Sequence, residues 1–284
     1  MNFKKQNIIL VLLCIMLFCT TSYVVFLGKN NLLAEIAKKA EQIQNKQNKT
    51  ASQQKESPAN EDDLTTDDIG IPVLVYTAIN SNNVTPENFK AQMNYIKDNG
   101  YTTITLDDLY QYLSASKKIP KKSIVITIDN GYSSIYRYAY PILKELNFKA
   151  TVFVSSDSIN SKDYLKNNEL KDMVNNSIDI ESNSAKDQIL SSLSVSTQNT
   201  SLANSKKSIQ DITGKEVKYL AYPQGKCSES TKKAAKDSGY LMAFNLANKL
   251  ADKKDNLLNL DRLFITKADT LESFMQKVTK SPKN

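Results

Sequence analysis

The first apolar stretch of the chain runs from Ile8 to Leu27 without a charged residue, after a short head that carries Lys4 and Lys5. An α-helix of this length spans about 30 Å, the thickness of the hydrocarbon core of a bilayer. Because lysines ahead of such a segment favour a cytoplasmic amino terminus, the pattern predicts a single-pass signal-anchor with the rest of the chain exported. A cleaved signal peptide is the alternative, although no clear small-residue cleavage site follows the apolar stretch.

The next part of the chain is much more polar. Residues 31–44 have apolar side chains at helical spacing and predict a short juxtamembrane helix, whereas residues 45–69 are rich in Gln, Asn, Lys, Ser and Asp and predict a disordered spacer. The sequence therefore predicts three regions. They are a cytoplasmic tip with the transmembrane anchor (1–28), a juxtamembrane helix with a flexible linker (29–70), and a folded domain (71–284).

From Ile71 onward, short apolar runs alternate with segments of helical periodicity. Strands are predicted at 71–76, 101–106, 123–128, 148–154, 177–181, 219–222, 241–244 and 263–266. Helices are predicted from Thr85 up to Gly100 and at 106–113, 135–146, 168–174, 201–213, 230–237 and 271–278. This alternation predicts an α/β domain of parallel β/α units, closed or nearly closed into a barrel. Its functional face would be the carboxyl ends of the strands.

The central predicted strand, 123–128, is followed directly by Asp129, Asn130 and Gly131. Acidic residues at the carboxyl end of a buried parallel strand occupy the position where α/β folds usually keep their chemistry. The structural alternative is an Asp-Asn-Gly turn, in which Asp129 only caps the following helix.

Composition narrows the chemistry that this face can perform. The chain has no His, which excludes His general bases, Ser-His triads and His metal ligands. Residues 71–284 carry 29 basic and 22 acidic side chains, a balance that suits an anionic cell-wall polymer or a membrane face. Scattered lysines are also what an ordinary solvated surface shows. No basic stripe with interleaved aromatic residues indicates nucleic acid.

The three cysteines, Cys14, Cys19 and Cys227, imply no disulfide framework. Two of them lie in the apolar amino-terminal stretch and one stands alone in the domain. We therefore expect Cys227 to be an inert, partly buried thiol.

Five segments of the domain, in this order and spacing, resemble the polysaccharide deacetylases (NodB-homology domain, carbohydrate esterase family 4). They are residues 71–76, 123–132, 140–143 with 148–154, 212–217 and 221–225. The resemblance extends from about Ile71 to Val278. It implies a distorted (β/α) barrel, here preceded by the predicted anchor and linker. It also implies the family's reaction, the metal-assisted removal of acetyl groups from N-acetylated sugars.

The resemblance assigns roles residue by residue. The family's general base falls on Asp129 and is kept, whereas the Asp that binds the metal falls on Asn130. The two His ligands fall on Asn183 and Asp187, and the His after the first strand falls on Thr77. Because Zn²⁺ in such sites requires anionic or imidazole ligands, the resemblance implies a degenerate metal site without a cofactor. Deacetylase activity is then expected to be absent or very low.

Three tyrosines, Tyr76, Tyr132 and Tyr222, are predicted to flank the same cleft, where aromatic faces and amides suit sugar rings. Tyrosine is common in this chain, so packing in the wall is the default interpretation of any single one. The sequence favours a membrane-anchored, extracytoplasmic, inactive homologue that binds a cell-surface glycan or a protein partner. The alternative is an active metal-dependent deacetylase with a rebuilt site. A metal-free glycosidase using Asp129 and Asp187, or a purely structural tether, are further alternatives.

Overall fold

The predicted parallel strands pair into one curled sheet in the computed structural model, which describes residues 61–279. In chain order the strands are β1 (Leu64–Thr65), β2 (Val73–Tyr76), β3 (Thr102–Thr103), β4 (Ile119–Pro120), β5 (Ser123–Ile128), β6 (Ala150–Val154), β7 (Ile178–Ser182), β8 (Tyr219–Ala221), β9 (Met242–Phe244) and β10 (Leu263–Phe264). The sheet order is β10-β2-β5-β6-β7-β8-β9, with β3 beside β5, and all these pairings are parallel. β1 and β4 form a separate antiparallel pair.

The helices lie between these strands, as the alternating pattern predicts. They are α1 (Pro86–Asp98), α2 (Leu106–Ala115), α3 (Tyr140–Glu145), α4 (Asn167–Val174), α5 (Val195–Thr213), α6 (Glu229–Asp237) and α7 (Leu271–Val278). A π-helical turn, Ile135–Ala139, leads directly into α3. α5 begins six residues before the predicted start, because the Ser194 hydroxyl caps it by accepting from the Thr197 amide.

Side chains alternate between the two faces of the sheet, and each face has its own core. On the outer face Leu74, Ile126 and Val152 pack against most of the helices. On the inner, concave face Val73, Val125 and Phe153 pack together with α2. Two residues beyond Val125 and Phe153 on the same alternation are Thr127 and Ser155. The inner face therefore leads into the polar residues at the carboxyl ends of the strands.

The carboxyl-terminal segment 260–264 connects the two edges of the curled sheet. The Leu260 amide donates to the carbonyl oxygen of Ala243, and the Asn245 amide donates to the carbonyl oxygen of Leu260. A few residues later β10 pairs with β2. The barrel expected from the sequence is thus a curled parallel sheet. Residues 260–264, which form only a two-residue strand, contact β9 on one side and β2 on the other.

The segment 61–69 differs from the sequence expectation of a disordered spacer. Residues Glu61–Asp63 form a 3-10 turn, β1 pairs with β4, and the Tyr112 hydroxyl donates to the carbonyl oxygen of Asp67. Backbone pairing and one tyrosine hold this polar segment, which composition alone does not reveal. Within residues 61–279 no helix is both long and apolar enough to cross a bilayer. The predicted anchor at 8–27 and the predicted helix at 31–44 lie outside the described residues.

Candidate functional site

The carboxylate of Asp129 lies at the carboxyl end of β5 and is held by an arginine from the carboxyl-terminal segment. Arg262 Nη1 donates to Asp129 Oδ1 at 2.8 Å, and Nη2 donates to Oδ2 at 2.7 Å. Asp129 is 6% exposed and Arg262 is fully buried. Such a bidentate pair fixes the plane of the carboxylate, while each oxygen retains a further lone pair. Arg262 therefore orients Asp129 without blocking it.

The guanidinium of Arg262 is enclosed by the inner core. Its centre lies 5.6 Å from the ring centroid of Phe153 and 5.7 Å from that of Phe244. Nε donates to the carbonyl oxygen of Asn245, and Nη1 also donates to Thr127 Oγ1. Sequence reasoning missed this residue. The available signal was its rarity, since it is one of two arginines in a lysine-rich chain and stands beside an apolar run.

The two asparagines at expected metal-ligand positions are joined to each other, in an arrangement that we call the amide clip. Asn183, at the end of β7, is 1% exposed. Its Oδ1 accepts from the backbone amide of Asn130 at 3.2 Å, and its Nδ2 donates to the carbonyl oxygen of Ala221 at 2.8 Å. Asn130 itself has a left-handed backbone, with φ of 74°. The clip ties the loop after β5 to the end of β8.

A metal of the kind that the family implies does not fit these side chains. Only Asp187 offers a negative charge, and the Asn183 amide is already bonded on both its oxygen and its nitrogen. Nowhere between residues 61 and 279 do three or more His, Cys, Asp or Glu side chains lie together as a metal site would need. Zn²⁺ and similar ions bind through anionic or imidazole donors. Of the three positions that the resemblance assigns to ligands, only Asp187 thus carries a donor of the kind that these ions favour.

Asp187 lies near Asp129 but remains exposed, and no hydrogen bond or ion pair holds its carboxylate within the described part of the chain. Partial burial raises the pKa of Asp187 above its ordinary value, and the negative charge of Asp129 raises it further. The structure therefore brings Asp187 to the site as a free carboxylate.

Two of the three predicted cleft tyrosines lie in the outer core instead. Tyr76 and Tyr222 are fully buried. The Tyr76 hydroxyl donates to Gln92 Oε1, and its ring packs edge-on against Phe89. The Tyr222 hydroxyl donates to the carbonyl oxygen of Leu258. This corrects the sequence expectation, because both rings belong to the wall of the domain and neither is available to a ligand.

Tyr132 does reach the cleft, where it borders a cavity of about 400 Å³ at the carboxyl ends of β2 and β5. The cavity is lined by Thr77, Ala78, Asn80, Asn83, Asn130, Tyr132, Ser133, Ser134 and Asp163. The ring of Tyr132 packs on that of Tyr164, with centroids 4.9 Å apart. Burial, the hydrogen bond with Tyr164, and then the charges of Tyr164 and Asp187 raise the pKa of Tyr132 to about 12.

The lining of this cavity is rich in amides and hydroxyls. Thr77 Oγ1 donates to Asn83 Oδ1, and the Asn80 side chain accepts from the Asn83 amide. Asn80, Asn83, Asp163 and Tyr164 were not singled out from the sequence, because no local pattern distinguishes them from ordinary loop residues. Convergent polar groups beside an aromatic wall are typical of sites for small polar ligands.

Cys227 is partly buried, as expected. Its thiol contacts Asn259 Oδ1 at 3.2 Å. The pKa of the Cys227 thiol is raised, mainly because the thiol is partly buried, so that it remains protonated near neutral pH.

Comparison with known proteins identifies a family profile and several relatives that match this chain. The sequence profile of the family described as "Polysaccharide deacetylase" matches residues 116–243. YxkH of Bacillus subtilis (strain 168), whose name assigns it to the polysaccharide deacetylases, is 33% identical over 233 residues, covering 81% of this chain and 80% of the relative. The poly-β-1,6-N-acetyl-D-glucosamine N-deacetylase of Staphylococcus aureus (strain N315) is 26% identical over 66% of this chain and 69% of its own length.

A solved structure is similar over most of the described residues. The Streptococcus pyogenes deacetylase PplD in complex with acetate superposes with a TM-score of 0.72 at 26% identity, covering 75% of this chain and 100% of that chain. The fold of the described residues and the sequence relatives therefore indicate the same family of proteins.

Proposed function

Because this chain belongs to the polysaccharide deacetylase family, we propose that it is a membrane-anchored, extracytoplasmic homologue that binds a cell-surface glycan without deacetylating it. The predicted anchor at residues 8–27 would hold the domain at the outer side of the cell membrane. A protein partner at the same cleft is the alternative ligand.

The observation that carries this proposal is the amide clip. The positions that the family resemblance assigns to metal ligands hold Asn130 and Asn183, and the Asn183 side chain is bonded to the backbone on both sides. A metal in such a site lowers the pKa of bound water and polarises the carbonyl under attack. With two of the three ligand positions neutral, a water beside Asp129 would keep its ordinary pKa and be a poor nucleophile. Catalysis by metal-activated water is therefore not expected.

The cleft supports glycan binding in its own right. Its amides and hydroxyls match the hydroxyl groups of a sugar, and the paired rings of Tyr132 and Tyr164 match the apolar face of a pyranose. The S. aureus relative is named for an N-acetylglucosamine polymer, which supports a polysaccharide as the class of ligand.

The activity part of the proposal is tested by acetate release from N-acetylglucosamine oligomers. We expect no release above background by the full chain, with or without added Zn²⁺, while the S. aureus deacetylase in the same assay releases acetate. Calorimetric titration of the full chain with Zn²⁺ should show no binding at micromolar concentration. Acetate release that Asp129→Ala abolishes would instead establish the active-enzyme alternative.

The binding part is tested by pull-down of the full chain on insoluble cell-wall polysaccharide. Tyr132→Ala should weaken retention, because it removes the aromatic wall of the cavity. Tyr138→Ala is the matched control, since Tyr138 is an exposed ring outside the cavity. Equal retention of both variants would contradict glycan binding in this cleft.

A further inference from the structure

The cavity beside Tyr132 has a charge of the opposite sign to the domain that contains it. Residues 71–284 have an excess of basic side chains. None of the nine lining residues is basic, and one of them, Asp163, is acidic. A lining with one carboxylate and no basic residue favours a cationic ligand over an anionic one.

The carboxylate of Asp163 has no partner among residues 61–279. The backbone carbonyl of Asp163 accepts from the Ser133 amide at 2.8 Å, which fixes the residue at the rim of the cavity, but no hydrogen bond or ion pair engages its side chain. Asp163 is exposed, and Lys162, which precedes it directly, is exposed too but does not line the cavity. Lys166 donates to the carbonyl oxygens of Asn160 and Ser161, and Arg262 is bound to Asp129.

The aromatic pair of Tyr132 and Tyr164 lies next to this carboxylate. Tyr164 follows Asp163 directly in the chain, and its ring packs on that of Tyr132, which lines the same cavity. A short antiparallel bridge between Tyr132 and Tyr164 keeps the two loops together. A pyranose that lies against Tyr132 therefore has its substituents within the space bordered by Asp163, Asn80 and Asn83.

Resting on the proposed glycan-binding function, we propose that this cavity recognises a glucosamine unit with a free, protonated amine, whose ammonium pairs with Asp163 while the ring lies against Tyr132. The ligand is then a deacetylated or partly deacetylated polymer, the product of the reaction that the family carries out. An ammonium donates charge-assisted hydrogen bonds to a carboxylate, which a neutral acetamide cannot match. The amides of Asn80 and Asn83 bind the neighbouring hydroxyls. Asp187, which is exposed and close to Tyr132, adds a second negative charge near that ring.

Calorimetry of the full chain with two oligomers tests this assignment. One ligand is a glucosamine hexamer and the other is the N-acetylglucosamine hexamer of the same linkage. Asp163 has a left-handed backbone, with φ of 66°, which Asn adopts readily, so Asp163→Asn keeps the fold. Asp98→Asn is the matched control, because Asp98 is an exposed acid at the end of α1 outside the cavity.

We expect the glucosamine hexamer to bind more tightly than its acetylated counterpart, and Asp163→Asn to weaken it by about tenfold or more, the scale of a hydrogen bond to a charged group. Asp98→Asn should leave it unchanged. Tighter binding of the N-acetylglucosamine hexamer, with no effect of Asp163→Asn, would overturn the amine assignment while glycan binding stands. Equal loss in both Asp variants would show non-specific attraction and also overturn it. Binding of neither oligomer would contradict both proposals.

Discussion

Two buried carboxylates on the inner face of the sheet are stabilised in opposite ways. Asp129 is bound by both nitrogens of a buried guanidinium, whereas Glu181, 4% exposed in β7, accepts only from the backbone amides of Lys218 and Tyr219, each at 2.9 Å. The ammonium of Lys218 pairs with Asp107 instead.

The difference lies in how each environment compensates the buried carboxylate. Burial, the largest cause, raises the pKa of Glu181 well above its ordinary value, and the two amide hydrogen bonds only partly oppose this. Glu181 can therefore be neutralised by taking up a proton. Asp129 is compensated by a permanent cation, since an arginine does not lose its proton in proteins. The candidate site thus holds a fixed ion pair, and the wall beside it holds an acid that is easily protonated.

The largest expected effect is from breaking the ion pair. Arg262→Met leaves the buried Asp129 without a cation and should lower the free energy of unfolding by about 3–5 kcal/mol, the usual result of removing one partner from a buried pair. The measurement is the urea midpoint of the full chain.

The chain offers a matched control for this variant. Arg137 is the other arginine and is exposed, so Arg137→Met should change stability by less than about 0.5 kcal/mol. Adding Asp129→Asn to Arg262→Met should recover part of the loss, because it removes the uncompensated charge. A double variant no more stable than Arg262→Met would show that lost packing of the guanidinium, rather than charge, dominates.

An intermediate effect is expected from the amide clip, two residues beyond Glu181. Asn183→Ala removes the partners of the Asn130 amide and the Ala221 carbonyl, and it should cost about 2–3 kcal/mol. Asn175→Ala, at an exposed position after α4, is the control. Thermal or urea unfolding measures both. A cost near zero for Asn183→Ala would mean that the clip does not hold the two loops.

The smallest effect is expected from Glu181→Gln, and it depends on pH. Because the pKa of Glu181 is raised, the folded protein holds its proton to higher pH than the unfolded chain. The stability that this provides is complete below the ordinary Glu value of 4.5 and is lost as pH rises through the raised pKa. Relative to Glu181→Gln, the unaltered chain should therefore become less stable as the pH rises above the ordinary Glu value of 4.5. A constant difference over this rise in pH would show that Glu181 titrates normally.

The sequence predicts the strands and the place of Asp129 well, because a β-branched run before a turn is a local signal. It misplaces Tyr76 and Tyr222 for a reason of register. Tyr76 pairs with Ile128, on the outer face, so the residue that lies beside Asp129 is Thr77. Neighbouring side chains of a strand point to opposite faces of the sheet, and this alternation places both rings on the outer face.

The pairing of Arg262 with Asp129 was missed for a different reason. Arg262 is 133 residues from Asp129 in the chain, and only the curling of the sheet brings the two together. Single-sequence patterns carry no information on such pairings. The same holds for Asp163 and Tyr164, which lie in a loop with no periodicity and reach the cavity through contacts with the loop after β5.

The late position of Arg262 also bears on how the protein is made. If the chain is exported amino terminus first, Asp129 emerges long before its cation, and the segment that connects β9 to β2 arrives almost last. Contacts between residues so distant in sequence form slowly. Until that segment arrives, the nascent domain has an uncompensated charge in its core and an open sheet edge, so its maturation depends on release of nearly the whole chain. A polypeptide ending before residue 260 should therefore be degraded by proteases faster than the full chain.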